Sequence, residues 1–87
     1  MNKKIVTVKL LMRPCCSSCD EAWFVLKRLR QYVDFKGQQV NLTKNPQYSQ
    51  YNDLIPVILV NEKVISDNTV KLRERLIKEA ILEELKE

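Results

Sequence analysis

Apolar positions along this chain follow two spacings, which alternate. Residues 5–12 (Ile-Val-Thr-Val-Lys-Leu-Leu-Met) are a nearly continuous apolar and β-branched run, the pattern of a central strand covered on both faces. Pro14 ends it, because proline brings no N–H to a sheet ladder. Apolar residues then recur at Ala22, Leu26, Leu29 and Val33, so the spacing predicts a helix over 22–33 with one buried stripe. Trp23, Phe24 and Val25 widen that stripe and predict burial on more than one side. Residues 33–42 predict a second strand, more polar and therefore nearer a sheet edge. Asn45-Pro46 suits an N-cap followed by proline at the first helical position, and the helix it opens over 46–52 has room for about two turns.

Residues 54–60 (Leu-Ile-Pro-Val-Ile-Leu-Val) predict a third strand with a proline at its entry. Asn61-Glu62 fits a two-residue hairpin turn, although glycine would suit it better, and 63–66 make a short fourth strand. Asp67 is placed to cap a long final helix, with Leu76, Ile77, Ala80, Ile81 and Leu85 as its apolar stripe. The order is β-α-β-α-β-β-α in one domain spanning 1–87, with no repeat, linker or low-complexity segment. The first crossover makes strands one and two parallel, and the hairpin makes strands three and four antiparallel.

Composition and charge exclude several classes. The 87 residues are 45% hydrophobic with one Gly, which reads as globular rather than disordered. The net charge of +4 comes from 15 basic and 11 acidic residues, interspersed and without aromatic interleaving, so no nucleic-acid surface is expected. No run reaches transmembrane length. Lys3 and Lys4 precede the first apolar run, Lys9 interrupts it, and no small-residue cleavage site follows, so no signal peptide is expected.

The candidate chemistry lies where strand gives way to helix. Cys15, Cys16 and Cys19 are all the cysteines of the chain. Cys16-x-x-Cys19 puts one sulfur at the start of a helix and the second about one turn further on. There the free N–H groups and the positive dipole end favour thiolate over thiol. Asp20 and Glu21 oppose that effect. A CxxC beside a βαβ pattern reads as a thiol–disulfide site, against a zinc half-site or two inert thiols. Clustered cysteines without a leader fit a reducing compartment, with the cytosol as the default.

Three segments resemble small glutaredoxin-like proteins of the thioredoxin superfamily. They are Arg13-Pro-Cys-Cys-Ser-Ser-Cys-Asp-Glu-Ala22, then Val40-Asn41-Leu42 with Asn45-Pro46 and Tyr51, then Ile55-Pro56-Val57. The resemblance implies an α/β thioredoxin-like fold of three layers around a four-stranded mixed sheet. It implies a cis bond before Pro56 and a thiol–disulfide oxidoreductase with Cys16 as nucleophile and Cys19 as resolving thiol. Substrate contacts would fall to Arg13, Ile55, Pro56, Ser66 and Asp67.

Two departures bear on the substrate. Ser17-Ser18 stands where glutaredoxins usually have Pro-Tyr, and Ile65-Ser66-Asp67-Asn68 replaces the Gly-Gly-x-Asp-like segment that helps hold glutathione. The expected partners are protein disulfides or glutathione adducts, recharged by glutathione or a reductase. No bound cofactor or metal is expected, and the chain reads as a monomer. The rival readings are a dimer sharing an iron–sulfur cluster or zinc through thiolates, since one chain lacks four ligands, and a redox-inactive thioredoxin-like adaptor. Cys15 reads as chance occupation of a variable site. Trp23, Tyr48 and Tyr51 could edge a substrate groove, with core packing as the plainer reading. The final helix runs from Lys71, Arg73, Arg75 and Lys78 to Glu79, Glu83, Glu84 and Glu87, against its dipole. Either this is a solvated face, or the basic start faces the redox site and attracts an anionic substrate.

Overall fold

A computed structural model describes residues 5–70 and 72–85; Lys3, Lys4, Lys71 and Glu87, named above, lie outside the described residues. The strands are β1 (Thr7–Met12), β2 (Lys36–Asn41), β3 (Val57–Val60) and β4 (Lys63–Ser66), and the α-helices are α1 (Ser17–Leu29) and α2 (Glu74–Leu85). The described residues form one four-stranded sheet in the order β2-β1-β3-β4. β1 pairs parallel with β2, and β3 pairs antiparallel with both β1 and β4. The order of the four strands and the first and last helices, the central place of β1 and the edge place of polar β2 are as the sequence leads one to expect.

Alternation along β1 separates two cores. Val6, Val8 and Leu10 face Ala22, Leu26 and Leu29 of α1 and Ile77 and Ile81 of α2, joined by Val33, Phe35, Ile58 and Val60. Leu11 faces the other way and meets Leu42, Val57 and Leu59, with Tyr48, Tyr51, Leu54 and Ile55 packed at the margin. The cross-strand pairs Val8–Val60 and Leu10–Ile58 lie on the helical face and Lys9–Leu59 on the other. A one-residue slip of β1 would exchange the two sets. Lys9 stands among apolar neighbours on the thinner face, where its ammonium donates to Tyr48 Oη at 3.0 Å and pairs with Glu62. The Glu62 carboxylate, then the tyrosine, raise the lysine pKa above its ordinary value.

The hairpin turn falls on Asn61-Glu62 with φ of 48° and 70°, the double left-handed geometry of a type I′ turn. Asparagine tolerates it partly because its side chain is used. Asn61 Oδ1 accepts from Thr7 N at 3.0 Å and Nδ2 donates to Glu84 at 3.0 Å, tying the turn to β1 and α2.

Several elements differ from the sequence reading. α1 begins at Ser17, directly after Cys16 as expected, but it ends at Leu29, before Val33, which is nonetheless buried. Phe24 is 61% exposed, because it lies opposite the buried stripe rather than beside it. The segment after β2 is not an α-helix but two 3-10 pieces, Leu42–Lys44 and Pro46–Tyr51, the second kinked at Tyr48. Asn45 holds the N-cap position without capping; its Nδ2 donates back to Asn41 O at 2.8 Å.

Asp67 does not cap the last helix. Its Oδ1 accepts from Thr69 N at 2.8 Å and Thr69 Oγ1 at 2.5 Å, closing a local turn, and α2 starts seven residues later at Glu74. Within its expected stripe Ile77 and Ile81 are buried while Leu76 is exposed. The start of α2 faces α1, not the cysteines: Glu74 Oε1 accepts from Arg28 Nε at 2.9 Å and Nη2 at 2.6 Å. Arg28 is roughly 18 Å along α1 from Cys16 at 1.5 Å per residue, so the basic start of α2 is not brought to the redox pair.

Two measurements check this packing. Leu26→Ala and Ile77→Ala should each lower the unfolding free energy in urea by about 2–5 kcal/mol. Leu82→Ala, on the exposed side of α2, should change it by less than about 0.5 kcal/mol. A large loss at Leu82 would mean that the packed face of α2 is misassigned.

Asp67 gives a pH test. The Thr69 hydroxyl, then its N–H, hold the Asp67 carboxyl below the usual aspartate range. The native pKa is thus depressed, so the stabilisation is present above the unfolded value of about 3.9 and is lost as pH falls through the native pKa. The stability gap between wild type and Asp67→Asn in urea should therefore be widest near neutrality and shrink in acid. A gap that grows below about pH 4 would contradict the assignment.

Candidate redox site

β1 delivers the chain to the cysteines and α1 fixes them. After Met12 the backbone turns at Pro14 and Cys15, and Cys15 has φ of 59°, a left-handed value that glycine adopts more easily than cysteine. Cys16 is the N-cap of α1, extended at φ −115° and ψ 105°, and its carbonyl accepts from Asp20 N at 3.1 Å. Its Sγ accepts from Cys19 N at 3.2 Å, satisfying one of the orphan donors of the first turn as a serine or aspartate cap would. The Ser18 hydroxyl lies 3.7 Å from the same sulfur.

Cys16 and Cys19 form a disulfide, with Cα atoms 5.2 Å apart. The two sulfurs differ in access. Cys19 is 1% exposed, whereas Cys16 is half-buried. Cys15 is a free and exposed thiol. Among the described residues no group of three or more His, Cys, Asp or Glu side chains could hold a metal ion.

Sheet topology gathers the other expected site residues at one end. Leu11 at the end of β1 pairs with Val57 at the start of β3, and Ser66 at the end of β4 pairs with Ile58. The segment from Arg13 to Cys16, the Ile55-Pro56 entry to β3 and the Ser66-Asp67 exit from β4 therefore share this end. The Ile55–Pro56 bond is cis, as expected. Ser66 is 5% exposed, and Asp67 is half-buried and engaged with Thr69. Arg13 is half-buried, and its buried Nε has no hydrogen-bond partner among the described residues.

Asn68 belongs to this site although its pattern in the sequence singles it out only as a departure from a glycine-rich segment. Its N–H donates to Leu54 O at 2.9 Å and its Nδ2 donates to Asp53 O at 2.8 Å. This clamp joins the exit of β4 to the approach to Pro56. The signal available in the sequence is an asparagine just past a strand, a residue suited to bonding nearby backbone; its partner 15 positions away depends on the tertiary fold. The aromatic candidates pack against the two cores. Tyr48 and Tyr51 pack on the second core with ring centroids 6.4 Å apart. Trp23 lies over β2, where a Cβ added to Gly37 would sit 3.6 Å from its ring.

An accessible sulfur at a helix start, joined to a buried sulfur one turn on, is equipped for thiol–disulfide exchange. Solved structures support the same architecture. A Nitrosomonas europaea protein determined in solution by NMR superimposes with a TM-score of 0.74 at 22% identity, covering 92% of this chain and 98% of its own. A mutant thioredoxin from Halobacterium salinarum gives 0.71 at 13% identity, covering 94% and 76%. Reduced thioredoxin from Schistosoma mansoni gives 0.68 at 14% identity, covering 93% and 80%. These likenesses establish the thioredoxin fold. No curated protein matches by sequence. The pattern that defines the glutaredoxin-like domain family (DUF836) matches residues 7–86, and with the Cys16–Cys19 pair at the start of α1 this chain belongs to that family.

Proposed function

We propose that the protein is a thiol–disulfide oxidoreductase that reduces protein disulfides or glutathione mixed disulfides. The observation that carries this reading is the asymmetry of the pair: Cys16 is accessible at the helix start, whereas Cys19 is buried beneath it.

In the reduced enzyme the Cys16 thiolate attacks one sulfur of a substrate disulfide. The S–S bond breaks, and the leaving sulfur takes a proton as the first product thiol. Cys19 then loses its proton and attacks Cys16 Sγ, releasing the second product thiol and closing the Cys16–Cys19 disulfide. Two electrons pass to the substrate. Reduced glutathione or a reductase returns them, and a reducing compartment such as the cytosol supplies that donor. The Cys19 N–H, donating to Cys16 Sγ at 3.2 Å in the oxidised form, is placed to stabilise the thiolate as it leaves or forms.

Arg13, Ile55, Pro56, Ser66 and Asp67 would border the bound substrate, since topology brings their segments to the sheet end that carries Cys16. Among the described residues the buried Nε of Arg13 is a donor without an acceptor, suited to a substrate carboxylate or carbonyl. Ser66 and Asp67 occupy the place of glycines that would let glutathione approach the backbone, and the Asp67 carboxylate is committed to Thr69. Both features favour the two-cysteine route on protein disulfides over a route that needs glutathione in its own subsite. The enzyme works as a single chain when dilute and needs no bound cofactor.

The two routes separate in one experiment. Under the two-cysteine route Cys19→Ser should trap a mixed disulfide on Cys16, visible by mass spectrometry, and lose at least about 100-fold in turnover of a protein disulfide, because resolution has no nucleophile. Cys15→Ser should stay within about twofold of wild type by the same logic. Near-wild-type activity of Cys19→Ser on a glutathionylated substrate would instead establish resolution by external glutathione. Loss of activity in Cys15→Ser would assign the first cysteine a part in the cycle.

A further inference from the structure

The face of α1 opposite its buried stripe is an open groove of about 660 Å³, lined by Asp20, Trp23, Phe24, Lys27, Arg28 and Tyr32 among others. Phe24 is 61% and Tyr32 71% exposed, so a large aromatic surface is left in water at the middle of the helix and just beyond its end. Charge along this face is ordered. Asp20 and Glu21 lie before Phe24, and Lys27 and Arg28 after it. Among the described residues Asp20, Glu21 and Lys27 make no ion pair, and Arg28 bonds Glu74 through Nε and Nη2.

The helix dipole accounts for acid at the start and base at the end. It does not account for Phe24 standing exposed between them. An acidic or a basic partner would each meet one half of this face with like charge. The surface that complements it is the same face reversed.

We propose that the outer face of α1 is a self-association surface, on which two copies pair antiparallel about a two-fold axis at Phe24. The two phenylalanines meet at the axis, as an isologous contact requires. On a 3.6-residue helix, positions seven apart lie on one side. Asp20 of one copy therefore faces Lys27 of the other, Glu21 faces Arg28, and each pair occurs twice. Cys16, at the helix start, lies at the rim of the contact, so the pairing neither needs nor buries the disulfide. One helix face is a small contact, below the roughly 1,200 Å² of stable complexes. The dimer is accordingly weak, with a Kd of about 0.1–1 mM, and forms at high concentration and low salt.

Charge exchange tests the pairing without touching the core. By sedimentation equilibrium at about 20 mM salt, wild type should show concentration-dependent dimerisation up to about 1 mM chain. Asp20→Lys alone and Lys27→Glu alone should each weaken it about fivefold or more, because each puts like charges face to face twice in the homodimer. Mixing these two variants should restore association as a heterodimer, and the double variant Asp20→Lys/Lys27→Glu should restore the homodimer. Phe24→Ala should weaken every pairing. A wild type that remains monomeric at 1 mM would overturn the proposal. So would a mixture or double variant that associates no better than the single variants, with circular dichroism confirming that each is folded.

Discussion

Because α1 lays Ala22, Leu26 and Leu29 against Val8 and Leu10 of β1, the start of the helix is held just beyond the end of the central strand, and the site depends on that placement. The loop between them is too short to wander. It carries Cys16 into the N-cap and Cys19 into the buried first turn. Removing water from the helix-facing core thus does two things at once: it stabilises the sheet, and it makes one sulfur accessible and the other sheltered. The chemical asymmetry of two identical side chains is a consequence of packing.

The two faces of the sheet are unequal. The helical face carries two α-helices and a continuous aliphatic core, while the other is covered by short 3-10 segments, two tyrosines and the Ile55-Pro56 entry to β3. A lysine on the thin face is tolerated because its ammonium finds both a phenol oxygen and a carboxylate within reach while its stem lies against apolar neighbours. On this same thin face the chain is held by polar clamps rather than bulk. Asn68 bonds two successive carbonyls ahead of Ile55, and Asn45 bonds the carbonyl of Asn41. Segments positioned by hydrogen bonds near water adjust more easily than a packed helix, which suits the border of a substrate groove.

Ion pairs here orient elements more than they stabilise them, since exposed pairs are individually weak. Arg28–Glu74 joins α1 to the start of α2, and Lys63–Glu84 with Asn61–Glu84 joins the β3–β4 turn to its end. α2 is thereby pinned at both ends across the helical face. Its early acid answers the cation on α1 rather than any group near the cysteines, and the outer face of α1 is left to the opposed charges around Phe24.

Element identity and the chemical site were legible in the sequence wherever a local rule decided them. The β-branched run of β1, the stripe Ala22–Leu26–Leu29, the Asn61-Glu62 turn and Cys16-x-x-Cys19 each follow from spacing or turn chemistry that the chain carries within a few residues. Resemblance to a family added the cis bond at Pro56, which spacing cannot reveal. Tertiary structure alone decided what depended on distant partners. Asp67 had a choice between a helix cap and a nearby hydroxyl, and Thr69 was closer than any helix start. Phe24 fell on the solvent side because α1 meets only one sheet face, so a wide apolar segment had only one side to bury. The stretch from Pro46 became 3-10 turns, since a piece of six residues kinked at Tyr48 leaves little room for α-helical hydrogen bonds. Asn68 acquired its role only when the exit of β4 came to rest beside Asp53 and Leu54, a contact across 15 positions that the sequence encodes only through the sheet as a whole.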